Sequence, residues 1–346
     1  MMKEYSLEEK QFITSLSWFR SRYALYMGLD PQRKATEEAI KSFAEFWIGT
    51  FLLPWTDMSK NLISKKIIEK IEDEFCFTDF GKETAKQLEI DTPFYKYEYD
   101  NFYTSILSSN AHSQFCEQVY GEDLSQHGLV DNEELSLFLK FVNSEQKVKI
   151  LDVGCGNGRI THKIGKESVA SCVGIDISSE GINFANTTFV NCPNLQFLEA
   201  DMNALQLTQK FDCIVFIDTL YYVRNIKDTL LNSLKLLEEN GHICVYLSSW
   251  VLNESQKAML LPENSYFISI LCELDLQFQA IDLTSSGISH WKKKLYILEN
   301  MKKQFEEEGN TLLWQYRYNE AFRYAKWDDQ LFSRYFYVIQ RKQPIL

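Results

Sequence analysis

From residue 148 to residue 248 the chain alternates short apolar runs with segments that carry helical spacing, and that alternation leaves few folds open. Strands are expected at 148–153, 171–176, 194–199, 211–217 and 241–248, with helices near 159–167, 178–188 and 226–239. Strands that alternate with helices imply a parallel sheet, because a parallel pair needs a crossover long enough to hold a helix. Ile214-Val215-Phe216-Ile217 and Ile243-Cys244-Val245-Tyr246-Leu247 are continuous apolar runs, as strands covered on both faces require. After Pro262 a strand is expected near 278–283, a long helix over 289–308, another over 316–326 and a closing strand over 331–340. The expectation is a doubly wound α/β sheet over 146–346 with a helical insert around 285–328.

Upstream the period changes. Phe12, Leu16, Phe19 and Tyr23, then Ala39, Phe43, Phe46 and Trp47, then Leu62, Ile67, Ile68 and Ile71 recur at helical spacing, so 1–95 is expected to be a helical domain. The stretch from Phe75 to Thr84 also suits a short hairpin followed by a helix starting near Thr84. Pro93 and the tyrosine-rich segment 94–103 interrupt the helical pattern and place a boundary there. Residues 96–145 then form a linker and two short cap helices, the second starting at Asp131 as its capping residue with Glu134 three positions on.

The formal charge of −12 repels a phosphate backbone, and no run of Lys and Arg offsets it, so nucleic acid is an unexpected partner. The three lysines 292–294 suit a solvated helix face. Eight cysteines are scattered without a Cys-x-x-Cys pair, as buried free thiols of a reducing compartment would be, which argues against disulfides and a metal site. The first ten residues carry acidic side chains where an export signal needs an apolar core, and the most apolar window, 46–55, contains Pro54. That window is short of the roughly 20 residues that span a bilayer, so no membrane partner and a cytoplasmic protein are expected.

The chemistry sits in Val148-Lys149-Ile150-Leu151-Asp152-Val153-Gly154-Cys155-Gly156-Asn157-Gly158, a strand that runs through a carboxylate into a glycine-dense turn. Such a turn lets backbone approach a ligand and aims the next helix at it. Dinucleotide dehydrogenases want a third glycine one residue later, where this chain has Arg159. Eighteen positions beyond Gly158, at the end of Cys172-Val173-Gly174-Ile175-Asp176, stands the carboxylate that a Rossmann-like site uses on ribose hydroxyls.

Together these residues resemble the first motifs of class I S-adenosylmethionine (SAM) dependent methyltransferases of the small-molecule, natural-product type. Their fold is a Rossmann-like, seven-stranded sheet. The resemblance implies SAM as cofactor, bound by Asp152, Gly154, Cys155, Gly156, Gly158, Asp176, Ile177, Asp201, Met202, Ile217 and Asp218. Asp152 falls at the methionine end and Asp176 at the ribose, while Asp201 and Met202, after the third strand, fall at the adenine. Tyr120, Gly121 and Gly128 match a family segment in which the positions of Gln126 and His127 contact SAM or substrate; Leu129 replaces its usual aromatic. The N-terminal helices resemble faintly the winged-helix dimerisation domain of plant-type O-methyltransferases, so a lid or a homodimer through this domain is expected.

Methyl transfer from a sulfonium is an in-line displacement that needs alignment, water exclusion and, for a hydroxyl acceptor, proton removal. His127, Tyr221 and His290 are the catalytic candidates, with His112 behind them; His162 and His242 are expected to be structural. Tyr103, Tyr221, Tyr222, Trp250 and Trp291 are candidates to enclose a small, partly apolar acceptor, whose methylated atom (O, N or C) stays open. The alternatives are an NAD-dependent Rossmann oxidoreductase and a non-catalytic SAM-binding regulatory protein.

Overall fold

The computed structural model describes residues 5–20, 34–145, 149–251 and 254–342. Tyr23 on the first helical stripe and Val148 at the start of the first core strand lie outside them. The chain divides into two compact units, 1–105 and 106–346.

In the first unit, α1 (Leu7–Phe19) is closed by a Ser6 and Glu9 capping box, and α2 (Glu37–Ile48) by Thr36. Phe12, Leu16 and Phe19 are buried with Phe43 and Trp47, so those two helical stripes are the core the spacing predicted. The third stripe is not helical beyond α3 (Met58–Ser64). Lys66 at φ 59° ends it, and Ile68–Ile71 (β1) pairs antiparallel with Glu74–Phe77 (β2). β-Branched isoleucines suit a strand, but the turn between them is Glu72-Asp73 with Glu72 at φ 53°, a residue type that gives no hairpin signal. Thr78 caps α4 (Asp79–Asp91), which starts before the expected Thr84. The tyrosine-rich segment is a further correction: Phe94–Leu107 is one helix, α5. Pro93 ends one helix and opens the next, where its missing N–H costs nothing.

In the second unit, α6 (Asn110–Tyr120) and α7 (Asn132–Ser144) precede the sheet, and Asp131 accepts the Glu134 N–H at 2.9 Å as expected. The alternating elements follow: β3 (Lys149–Val153), α8 (Arg159–Ser168), β4 (Ser171–Asp176), α9 (Ser179–Thr188), β5 (Leu195–Glu199), β6 (Phe211–Ile217), α10 (Ile226–Leu236) and β7 (Leu237–Trp250). Then come α11 (Tyr266–Glu273), β8 (Leu276–Asp282), α12 (Thr284–Glu307), α13 (Thr311–Tyr324) and β9 (Phe332–Arg341). The sheet order is β5-β4-β3-β6-β7-β9-β8, parallel from β5 to β7, with β9 antiparallel to both its neighbours. This is the doubly wound, Rossmann-like seven-stranded fold expected from the alternation. Ile214, Val215, Phe216, Ile243 and Val245 are fully buried, each apolar side chain contributing about 1.5–3 kcal/mol. The order reverses between β3 and β6, so their carboxyl ends open a crevice for ligands.

Helix α12 starts five positions earlier than the spacing suggested. Gly287 there packs so closely on β9 that a Cβ would stand 2.9 Å from the Phe332 ring, a tertiary contact that overrides poor helix formers. The expected solvated lysine face is also wrong in part: Lys292 and Lys293 are exposed, but Lys294 is fully buried.

Candidate functional site

The glycine turn after β3 has Gly154, Gly156 and Gly158 all at positive φ (84°, 58° and 74°), which explains why glycine recurs there. A Cβ on Gly154 would stand 2.4 Å from Thr219 Cγ2, and one on Gly158 2.6 Å from the Phe197 ring. Thr219 in turn donates to the Val153 carbonyl at 2.6 Å, so the turn is wedged against the end of β6.

Three carboxylates stand at the carboxyl ends of adjacent strands. Asp152, on β3, is 2 % exposed and accepts from Thr161 at 2.6 Å. Burial pushes its carboxyl up to about 7, against the Thr161 hydrogen bond and with the charge of Asp176 adding. Asp176, ending β4, accepts the Gly156 N–H and the Ser178 N–H at 2.8 Å each, which ties the glycine turn to the second strand; Ile177 beside it is half-buried. Asp201, after β5, accepts the Asn203 N–H at 2.8 Å and meets Arg224 at 3.2 Å. Met202, Ile217 and Cys155 are buried, and burial pushes the Cys155 thiol well up, leaving it unreactive.

Over this turn lies the loop 121–131, held from both sides. Arg159, where a dehydrogenase would have glycine, donates to the Asp123 carboxylate at 2.8 Å and to Ser125 Oγ at 3.1 Å. Asn157 reaches the Leu124 and Ser125 carbonyls, and Lys163 pairs with Glu122. Tyr120 donates to the Gly128 carbonyl at 2.9 Å, and Arg317 bonds the Tyr120 hydroxyl at 2.8 Å and the His127 carbonyl at 3.1 Å.

Asp218 pins the far end of the same loop. It follows β6 at φ 55°, and one of its carboxylate oxygens accepts the Leu129 N–H at 2.7 Å. A side chain at Gly128 would run into it, with a Cβ 2.9 Å from Oδ2. Its counterion is Arg334 on β9, at 2.6 and 3.0 Å, whose guanidinium also grips Glu134 on α7 at 2.9 to 3.2 Å and Ser248 Oγ at 3.0 Å. Glu134 therefore serves the sheet rather than closing a capping box. Helical and strand spacing do not single out Arg334; its signal is the one arginine inside the run 332–339.

Gln126 Oε1, on the loop over the glycine turn, is buried without a hydrogen-bond partner. A site rich in acceptors suits a cofactor that presents ribose hydroxyls, an amino group and an ammonium, as SAM does, and opposes a pyrophosphate.

The catalytic candidates lie on three different elements: the 121–131 loop, the turn after β6 and α12. His127, half-buried on the loop, has Nε2 2.9 Å from the Tyr316 hydroxyl on α13; burial pushes its pKa down to about 3, so it is neutral. The Tyr221 hydroxyl accepts the Ser248 N–H at 2.6 Å, and burial pushes it up, so it too stays neutral. His290 is buried on α12, with Nδ1 4.0 Å from Asp131. Tyr221, Trp250 and Trp291 join one aromatic line through Tyr324: ring centroids are 6.3 Å apart for Tyr221 and Trp250, 6.4 Å for Trp250 and Tyr324, and 4.8 Å for Tyr324 and Trp291. Tyr222 packs at the edge of the sheet core, Tyr103 belongs to the first unit, and His112 is fully buried. His162 stacks on Phe189 and His242 packs edge-on to Phe141, as structural side chains would.

Known proteins bear on the fold and the cofactor. A family model described as a methyltransferase domain matches residues 144–309. The ubiquinone biosynthesis O-methyltransferase of Rickettsia conorii is 26 % identical over 126 residues, 36 % of this chain and 42 % of that protein. The mitochondrial ubiquinone biosynthesis O-methyltransferase of Candida albicans is 27 % identical over 142 residues, 39 % of this chain and 43 % of that one. The chain thus spans less than half the length of these relatives. Among solved structures, Phospholethanolamine N-methyltransferase 2 of Haemonchus contortus, in complex with phosphomonomethylethanolamine and S-adenosylhomocysteine, superposes with a TM-score of 0.56 at 13 % identity, over 71 % of this chain and 60 % of its own. A SAM-dependent methyltransferase of Geobacter sulfurreducens, in complex with S-adenosylhomocysteine, gives 0.50 at 14 % identity, over 66 % and 98 %. No helix among the described residues is long and apolar enough to cross a membrane. With its sheet order and glycine turn, the second unit has the fold of these methyltransferases, and residues 144–309 match the methyltransferase domain.

Proposed function

We propose that the protein transfers the methyl group of SAM to a small, partly apolar metabolite. The observation that carries this reading is the row of carboxylates Asp152, Asp176 and Asp201 on three adjacent strand ends, roofed by a loop tied down at Arg159, Arg317 and Asp218. In this assignment Asp176 takes the ribose hydroxyls, Asp201 the adenine amino group, and the Asp152 and Gly154–156 segment the methionine end. Ile177, Met202 and Ile217 pack on the adenosine. Bound SAM supplies an electrophilic methyl; the chain aligns the acceptor and keeps water out. Asp218, its charge committed to Arg334, positions the loop. Neutral His127, its ring oriented by the Tyr316 hydrogen bond, is the group that accepts a hydrogen bond from the acceptor and aligns it. Tyr221 and the aromatic line behind it form the acceptor wall.

Calorimetry with SAM on the wild type and Asp176→Ala tests the cofactor assignment. The variant should bind at least about tenfold more weakly, since hydrogen bonds to a charged group contribute about 1.5–3 kcal/mol each. An unchanged dissociation constant refutes the ribose role. A screen of small acceptors that reads out S-adenosylhomocysteine then tests turnover. For the N-terminal unit, whose exposed Ile71 and Phe80 are available for contact, we infer a dimerisation role; light scattering that finds a monomer at every concentration removes it.

A further inference from the structure

A second polar cluster lies between α6, α12 and α13, outside the cofactor-binding residues. Lys294 is fully buried, 3.5 Å from Glu320 and stacked over the Trp291 ring at 4.4 Å. Arg317 is 3.9 Å from the same carboxylate and is occupied by Tyr120 and the His127 carbonyl. Lys294 Nζ and Glu320 Oε2 face each other only as this long ion pair, and two further buried atoms, Trp291 Nε1 and His290 Nε2, make no hydrogen bond. Buried polar atoms are almost always satisfied, and each orphan costs about 1–3 kcal/mol. A long ion pair beside two unmet nitrogens describes a site with room in its hydrogen bonding for a group supplied from elsewhere.

The orphans define that group. Two are donors, one is an acceptor, and the histidine nitrogen takes either role by tautomer. A carboxylate ligand would satisfy Lys294 but be repelled by Glu320. An ammonium would satisfy Glu320 but face Lys294 and Arg317. A hydroxyl accepts from Lys294 and donates to Glu320, answering both without adding charge. The rings of Trp291, His290 and Tyr120 around the lysine favour an aromatic or apolar body. The aromatic line from Trp291 through Tyr324 and Trp250 to Tyr221 joins this cluster to the ends of β6 and β7. We propose that Lys294, Trp291 and Glu320 form an acceptor subsite for a neutral hydroxyl on an aromatic or apolar body, resting on the methyltransferase reading for its place in the reaction.

Ligand-observed NMR on the full chain saturated with S-adenosylhomocysteine tests it with four probes of one size: p-cresol, toluene, benzoate and benzylamine. p-Cresol should bind at least about tenfold more tightly than the other three, the equivalent of one recovered hydrogen bond to a charged group. Lys294→Met should lose that preference while S-adenosylhomocysteine binds as before, and Glu320→Gln, which keeps an acceptor oxygen, should retain it within about threefold. p-Cresol binding no better than toluene, or binding indifferent to Lys294→Met, overturns the subsite. The wild-type ranking decides even where a variant fails to fold. Failure of S-adenosylhomocysteine itself to bind overturns the methyltransferase reading instead.

Discussion

Removing Arg334 should cost more than any single surface change in this protein. Its guanidinium is fully buried, and the side chains of its partners Glu134 and Asp218 are only 4 % and 7 % exposed, so solvent screening offers little relief. Arg334→Met keeps the bulk and leaves two carboxylates in one dry place with no cation. Breaking a buried pair in this way costs about 3–5 kcal/mol, mostly as the desolvation of the charge left behind. At about 2–4 °C per kcal/mol for a unit of this size, a loss near 4 kcal/mol lowers the melting temperature by about 8–16 °C. The pH dependence checks the cause. Burial already pushes Glu134 up, and without Arg334 it rises further above its unfolded value. The variant's folded state then holds protons that the unfolded chain has released, so its stability is fuller at low pH and falls as pH rises through the folded pKa. Calorimetric melts of both proteins at pH 5 and pH 7.5 should show the gap narrowing at pH 5. A loss below about 1 kcal/mol, the range of exposed pairs, or a gap that ignores pH, would refute the claim that the triad is dry.

Gly158→Ala should destabilise the domain by about 1–3 kcal/mol, because φ is 74° and the new Cβ meets Phe197 and Ala185 at 2.6 and 2.8 Å; urea unfolding measures it, and a neutral result would mean the turn relaxes freely. His127→Ala should abolish turnover and leave SAM affinity unchanged, and wild-type rates would reduce His127 to a loop residue. Because burial pushes that imidazole down to about 3, no rate inflection between pH 5 and 8 should vanish in this variant. Lys294 has its pKa pushed down to about 7 by burial, with Arg317 adding and Glu320 opposing. The unfolded chain therefore binds the extra proton between about pH 7 and 10.5, and stability should rise with pH across that window in the wild type and stay flatter in Lys294→Met. Equal slopes would place Lys294 in contact with water.

The two periods in the chain made most of the second unit legible. β4 and β6 fall at the expected residues, and β3 to the end of β6 carries the glycine turn and three carboxylates in order, because a strand buried on both faces must be continuously apolar and a tight turn at positive φ favours glycine. Where local preference and packing disagree, the sequence misleads. Ile68 and Ile71 fit a helical stripe as well as a strand, and only the left-handed Lys66 and Glu72 settle it. Pro93 was legible as a break but not as a helix start.

The proposed cofactor residues are therefore written locally: Asp152, Gly154, Gly156, Gly158, Asp176 and Asp201 need only the strand ends that the pattern already implied. The buried ion pairs around them were decided by the tertiary structure. Arg334 reaches Glu134 across 200 residues and Asp218 across 116, and Lys294 meets Glu320 only because α12 and α13 turn the same face inward. In one dimension a buried arginine and a solvated one are the same letter. What separates them is the cost of desolvating a charge, and that cost exists only once the chain has folded around it.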